Sequence, residues 1–198
     1  MSSFSRFWES LPRRGFWPAN LTAAAFGAIA AAALPPIHVI PALLTAIPGL
    51  LALLGEAPRW RTGLRLGWWF GFAHHLFGLY WITEAILVEA ARFWWFVPIA
   101  VPALAAFEAL FIAPAVALAC RAAPGWRRGL VLAGAWTLGD LARQFVLTGF
   151  PWNPWGSVWA IPGVVGDVMV QPAALVGVHG MTLATVWLAT LPGAGRTG

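Results

Sequence analysis

The sequence predicts an all-α integral membrane protein, a bundle of about six transmembrane helices with an aromatic loop on the outer side between helices 5 and 6. Three observations predict it. Of 198 residues, 60% are hydrophobic and only 10% charged, with mean hydropathy +0.75. A soluble domain carries roughly a quarter charged residues, so this surface cannot be wetted all round. Apolar runs of about 20 residues, the length that crosses a bilayer, recur along the chain. Finally, the cations are all arginine, with no lysine, and they gather in alternate gaps between those runs. The same figures exclude disordered, collagen-like and coiled-coil classes. The net charge of +5 reads as membrane topology, so no nucleic-acid partner is expected.

The elements follow in order. Residues 1–16 form an N-terminal tail with Arg6, Arg13 and Arg14. The apolar stretch after it is long for a signal peptide and is followed at once by further spans, which makes it a first transmembrane helix at about 17–34. Pro35 and Pro36 end it, because proline removes a donor and restricts its predecessor. The second span is expected at about 37–55, with Pro41 and Pro48 inside, and the third at 64–86. The fourth is placed at 93–120 and the fifth at 128–147. Residues 148–170 are rich in Trp, Pro and Gly and read as an interfacial loop with one short helix. Pro172, at a good first-turn position, opens a sixth span at 172–191, and residues 193–198 form a C-terminal tail. No matched pair of broken helices, the mark of many transporters, stands out. Ten arginines fall in the two tails and the gaps around 56–65 and 121–128, against Arg92 and Arg143 on the other side. By the positive-inside rule both termini are cytoplasmic.

Within this frame several residues invite a chemical reading. Gly67, Gly71 and Gly78 share one face of the third span, where small residues let helices approach closely in lipid; packing is the expected role. His74 and His75 are adjacent, so their side chains diverge by about 100° and lack the spacing of paired metal ligands on a helix. A structural or water-facing role is expected for both. Glu108, in mid-span, is costly in a bilayer and must face the interior. It is read as a carboxyl bonded to an indole N–H or a hydroxyl, the functional alternative being a proton or headgroup contact. Trp94, Trp95, Trp152, Trp155 and Trp159 read as an interfacial belt. Cys120, the single cysteine, excludes an internal disulfide and a Cys-rich zinc site. No acid or base lies near it in sequence, so a small buried apolar role is expected. No phosphate loop, HExxH or GxSxG motif is present, and neither metal nor cofactor is expected.

The stretch AWTLGDLARQFVLTGFPWNPWGSVW at 135–159 carries more. Asp140 and Arg143 at a helix end, then Thr148-Gly149-Phe150-Pro151-Trp152 and Gly156, resemble the apolipoprotein N-acyltransferases of bacterial inner membranes. Leu34-Pro35-Pro36, the run Gly71–Ile82 ending in Gly78-x-Tyr80-Trp81-Ile82, and Pro172 with Gly177-Val178-His179-Gly180 agree with further segments of that family, in order along nearly the whole chain. The resemblance implies an enzyme of the inner (cytoplasmic) membrane that moves a fatty acyl chain from a phospholipid donor to the α-amino group of the diacylglyceryl-cysteine of an apolipoprotein. It implies covalent catalysis through a cysteine thioester, with a glutamate base and a lysine at the oxyanion, in a periplasmic nitrilase-like domain between a seventh and an eighth helix.

This chain ends after its sixth expected helix, has no lysine, and places Cys120 at the cytoplasmic end. No catalytic residue is therefore assigned within it, the catalytic domain is taken as absent, and the chain alone is expected to be inactive. Asp140 also stands where the family pattern suggests a longer Glu, which leaves its reach to Arg143 open. What remains is a substrate path through the bilayer and the periplasmic aromatic loop: Asp140, Arg143, Thr148, Gly149, Phe150, Pro151 and Trp152, with Tyr80, Trp81 and Glu108 as weaker candidates. Asp140 and Arg143, three apart on one helical face, pair with each other or contact headgroups. The alternatives are a small multispan transporter or lipid-binding membrane protein, and a structural bundle assisting a separate catalytic chain.

Overall fold

The computed structural model describes residues 8, 10–56, 58–146, 149–150 and 152–194, without the side chains of 13 and 194. The described residues are all-helical, with no strand among them. From Phe16 onward the helices are α1 (Phe16–Ala31), α2 (Leu43–Leu54), α3 (Trp60–Gly78), α4 (Trp81–Leu87), α5 (Ala90–Phe93), α6 (Val97–Ala119), α7 (Trp126–Arg143), α8 (Val164–Met169) and α9 (Ala173–Ala194). Short 3₁₀ turns at Leu11–Arg13, Ile40–Ala42, Trp94–Phe96 and Trp155–Trp159 join them. Two helical segments, 90–119 and 173–193, are long and apolar enough to cross a membrane by length and composition.

Several helices are shorter than the expected spans, for local reasons. α3 stops at Gly78 and a separate α4 begins at Trp81, where one span was expected through residue 86. α2 begins only at Leu43, after a 3₁₀ turn holding Pro41, because proline at the start of a helix supplies a fixed φ but no N–H to the preceding turn. α9 is broken at Gly177, whose φ of 66° and ψ of 176° lie where only glycine sits comfortably. The loop after α7 holds two short helical pieces, Trp155–Trp159 and α8, rather than one.

The six longer helices close into a ring in the order α1, α3, α6, α7, α9, α2 and back to α1. Phe26, Leu50, Phe70, Leu132, Trp136, Trp155 and Val186 fill the middle. The tightest seam joins α3 to α6 in antiparallel register. A Cβ on Gly63 would stand 2.8 Å from the Ala117 Cα, one on Gly67 3.0 Å from the Ala113 Cα, and one on Gly71 3.1 Å from the Ala109 Cα. Three glycines at a spacing of four thus let two backbones touch. Gly78 is not part of this seam: a Cβ there would meet Leu34 and Asn153. Gly63, outside the glycine set picked from the sequence, takes its place.

Arg128 fastens the start of α7 to the end of α2. Its Nη1 donates to the Gly55 carbonyl at 2.5 Å and its Nη2 to that of Glu56 at 2.8 Å. A buried guanidinium there satisfies carbonyls that have no partner within α2 and sits at the negative end of the helix dipole.

Candidate functional site

Where α3, α6 and α7 meet, four polar side chains converge. Arg143, on the last turn of α7, donates from Nη1 to Glu108 Oε2 on α6 at 2.7 Å and to His75 Nε2 on α3 at 3.1 Å. Its Nη2 donates to Asp140 Oδ1, one turn back on α7. Glu108 is 1% exposed, His75 1%, Asp140 3% and Arg143 4%. The tautomer of His75 follows from its neighbours. Nδ1 lies 2.9 Å from the Gly71 carbonyl, which only accepts, so Nδ1 carries the hydrogen and Nε2 is the lone pair that receives Arg143. The imidazole is then neutral, and two carboxyl groups face one cation. Among the described residues, Asp140 Oδ2 and Arg143 Nε have no partner.

The partner of Glu108 is thus a guanidinium, not the indole or hydroxyl expected from sequence. Asp140 reaches Arg143 despite its short side chain, and both point into the bundle rather than toward a headgroup. Among the described residues no cluster is suited to a metal ion; the carboxylates and His75 all turn to the guanidinium instead. A buried ion pair of this kind is costly to desolvate and is held by geometry and added hydrogen bonds.

His74 packs its ring edge-to-face against His75, with centroids 5.0 Å apart, and ties the cluster to the loop. Its Nε2 accepts the indole N–H of Trp155 at 2.9 Å. Trp155 is 1% exposed and packs on Trp136, with ring centroids 5.0 Å apart. The same loop is pinned to α9, where Trp159 donates to Thr185 Oγ1 at 2.8 Å and the Gly156 N–H to Thr182 Oγ1 at 3.0 Å. Asn153 donates to the Gly78 carbonyl at 2.7 Å, joining the loop to the end of α3. Trp155, at 1% exposed, is therefore an inward-facing anchor rather than a member of an interfacial belt, while half-buried Trp159 turns its N–H inward. Trp94 and Trp95 do remain exposed.

Beyond these anchors the loop presents an aromatic corner. Phe150 and Trp152 lie 4.6 Å apart between ring centroids, and Trp81 of α4 lies 6.2 Å from each. Phe150 is 45% exposed and Trp81 38%, while Trp152 is half-buried. Tyr80 is exposed beside them. Gly149 takes a φ of 69°, a left-handed turn suited to glycine, and sets the chain's direction into Phe150. Thr148 and Pro151 lie outside the described residues. The structure thus brings Asp140, Arg143 and Glu108 together in one buried cluster and Trp81, Phe150 and Trp152 in one exposed corner. His75, a member of the cluster, and His74, which ties it to Trp155 of the loop, were not among the sequence candidates for a site. The signal that pointed to them was two histidines in an apolar helix with one Arg and two carboxyls elsewhere left to pair.

At the other end, Cys120 follows the last turn of α6, half-buried, with Sγ 3.3 Å from the Val116 carbonyl. It lies against Gly63 near the start of α3, away from the aromatic corner.

Residues 26–191 match the family model described as the apolipoprotein N-acyltransferase N-terminal domain. Among curated proteins, the apolipoprotein N-acyltransferase of Caulobacter vibrioides is 40% identical over 187 residues, covering 92% of this chain and 34% of its own length. That of Rhodopseudomonas palustris is 37% identical over 185 residues, covering 89% and 33%. That of Rickettsia prowazekii is 31% identical over 155 residues, covering 78% and 30%. The chain spans about a third of the length of these relatives. The matched region takes in both the buried cluster and the aromatic corner, and the chain belongs to the apolipoprotein N-acyltransferase family through its N-terminal domain.

Proposed function

We propose that these residues are the membrane portion of an enzyme of lipoprotein maturation in the bacterial inner membrane. The enzyme takes a fatty acyl chain from a phospholipid donor and passes it to the N-terminal diacylglyceryl-cysteine of an apolipoprotein acceptor. In this reading six segments, each built on one of the longer helices together with its flanking turns, cross the bilayer, both ends of the bundle's chain lie in the cytoplasm, and the aromatic corner sits at the periplasmic headgroup level.

Lipid substrates arrive by lateral diffusion, so chemistry above the membrane needs an entry between helices and a surface that accepts an acyl chain. The observation that carries the proposal is the aromatic corner: three rings in contact, partly exposed, mounted on buried anchors. Trp81, Phe150 and Trp152 offer flat apolar faces to an acyl chain, while indole N–H groups can meet ester and headgroup oxygens. Gly149 aims the corner, and we assign Thr148 and Pro151 to the same path with Tyr80 at its edge. The Glu108–Arg143–Asp140 cluster, with His75, is assigned to positioning: it fixes the end of α7 from which the corner springs.

The acyl-transfer chemistry itself is assigned to no residue here. The sequence contains no lysine, and Cys120 stands at the end opposite the corner, so these 198 residues alone are expected to turn over no substrate. The test joins them to the remaining portion of the Caulobacter vibrioides relative. Trp152→Ala in that chimera is expected to slow acyl loading several-fold at equal protein abundance, measured as enzyme-bound acyl group against time. Unchanged loading would remove the corner from the substrate path.

A further inference from the structure

The arginine-rich end holds a cavity of about 440 Å³ lined by Pro58, Arg59, Trp60, Arg61, Cys120 and Arg121. Three of its six lining residues are cations. Among the described residues the salt bridges involve only Arg143, so none of these three guanidiniums has a carboxylate partner. Arg59 is the residue preceding α3 and makes no side-chain cap. Arg61 lies over the Trp60 ring at 5.4 Å. Arg59, Trp60 and Arg61 are the N-cap and first two residues of α3, so the cavity adjoins the positive end of that helix's dipole. Trp60, Leu118 and Trp126 are exposed around this end, an apolar and indole-bearing rim of the kind found where helices meet headgroups.

Clustered arginines in a loop satisfy a topology rule without binding anything. A concave site lined by three exposed guanidiniums, none with a carboxylate partner among the described residues, goes further, because one anion seated in it meets all three. We propose that this cavity binds the phosphate group of an anionic phospholipid from the leaflet opposite the aromatic corner, with Arg59, Arg61 and Arg121 around the phosphate and Trp60 beside the glycerol. Arginine suits this task through its forked donors and weak hydration. The inference rests on the membrane placement proposed above, and on nothing about acyl transfer.

Cys120 makes the site measurable, since the only thiol of the chain lines the cavity. The full chain is reconstituted in nanodiscs of phosphatidylcholine alone or of phosphatidylcholine with phosphatidylglycerol, and labelled with an uncharged maleimide. Phosphatidylglycerol is expected to slow labelling by roughly fivefold or more, given the attraction of each arginine near an anionic surface. Arg59→Ser with Arg121→Ser is expected to abolish the difference between the two lipids. A single Arg61→Gln variant, further from any buried contact, serves if the double variant fails to reconstitute, and is expected to reduce the difference. Equal labelling in both lipids would overturn the proposal. Slowing that persists in the variants would do so too, because it would come from surface potential alone. Protection by inorganic phosphate in phosphatidylcholine discs, without phosphatidylglycerol protection, would transfer the site to a soluble ligand and overturn the lipid assignment. Incorporation into discs of both compositions, checked by size exclusion, reads the membrane placement separately.

Discussion

Arg143 holds three elements with one side chain, and its loss strands two carboxyl groups. Arg143→Met would keep volume and helix propensity but leave Glu108 and Asp140 buried without a cation. Breaking a buried pair from one side costs about 3–5 kcal/mol. Glu108→Gln keeps an acceptor for Nη1 and leaves Asp140 to balance the charge, so its loss belongs near the value of one neutral hydrogen bond, about 1 kcal/mol. Thermal unfolding in detergent is expected to rank them as wild type, then Glu108→Gln, then Arg143→Met well below. Equal midpoints for the two variants would mean that the cluster is not electrostatically coupled. The Asp140–Arg143 contact was legible in the sequence, because residues three apart on a helix share a face. Glu108 and His75 stand 35 and 68 residues from Arg143, and no local periodicity connects such distances. The available clue was elimination: an ionisable group in mid-span needs a partner, and few opposite charges lie inside apolar helices.

The α3–α6 seam turns the same reasoning on backbone contact. At Gly67 a Cβ would stand 2.8 Å from the Val116 Cβ and 3.0 Å from the Ala113 Cα, and neither can move without parting the helices. Gly134 on α7 has nothing within 4 Å of its would-be Cβ. Gly67→Ala is therefore expected to destabilise by about 1–3 kcal/mol through overpacking. Gly134→Ala should stabilise by up to about 1 kcal/mol through helix propensity. Chemical unfolding of the two variants side by side checks the contrast, and two changes of the same sign would discard this seam. The six longer helices were readable, since the apolar runs are long and their arginine gaps sharp, but α4 and α5 as separate helices were not. The breaks at Gly78 and Gly177 were not. A glycine in an apolar run signals close packing and helix termination alike, and only the neighbours decide: the α6 backbone faces Gly71, whereas Asn153 and Leu34 face Gly78.

At the scale of the whole molecule, ring closure and charge distribution make one joint statement. Around the ring α3 runs antiparallel to α6, and α7 to α9: Gly129 of α7 lies against Thr190, and Gln144 bonds His179 at 2.8 Å. If the bundle crosses six times, as proposed above, its two ends share one side, and the ten of twelve arginines that the sequence places in the tails and alternate gaps would put that side in the cytoplasm by the positive-inside rule. The segment between α3 and α6, with Glu84, Glu89 and exposed Trp94 and Trp95, then faces outward together with the aromatic corner. In the Cys120→Ser background, a single cysteine at Glu89 is expected to react with a membrane-impermeant maleimide added to intact spheroplasts. One at Arg127 should react only after the membrane is opened. Reaction at both positions from outside would break the six-crossing ring, because the helices between them cross an odd number of times in that arrangement. Reversal of the two would keep the ring but invert it, placing the aromatic corner in the cytoplasm, where no exported lipoprotein could reach it.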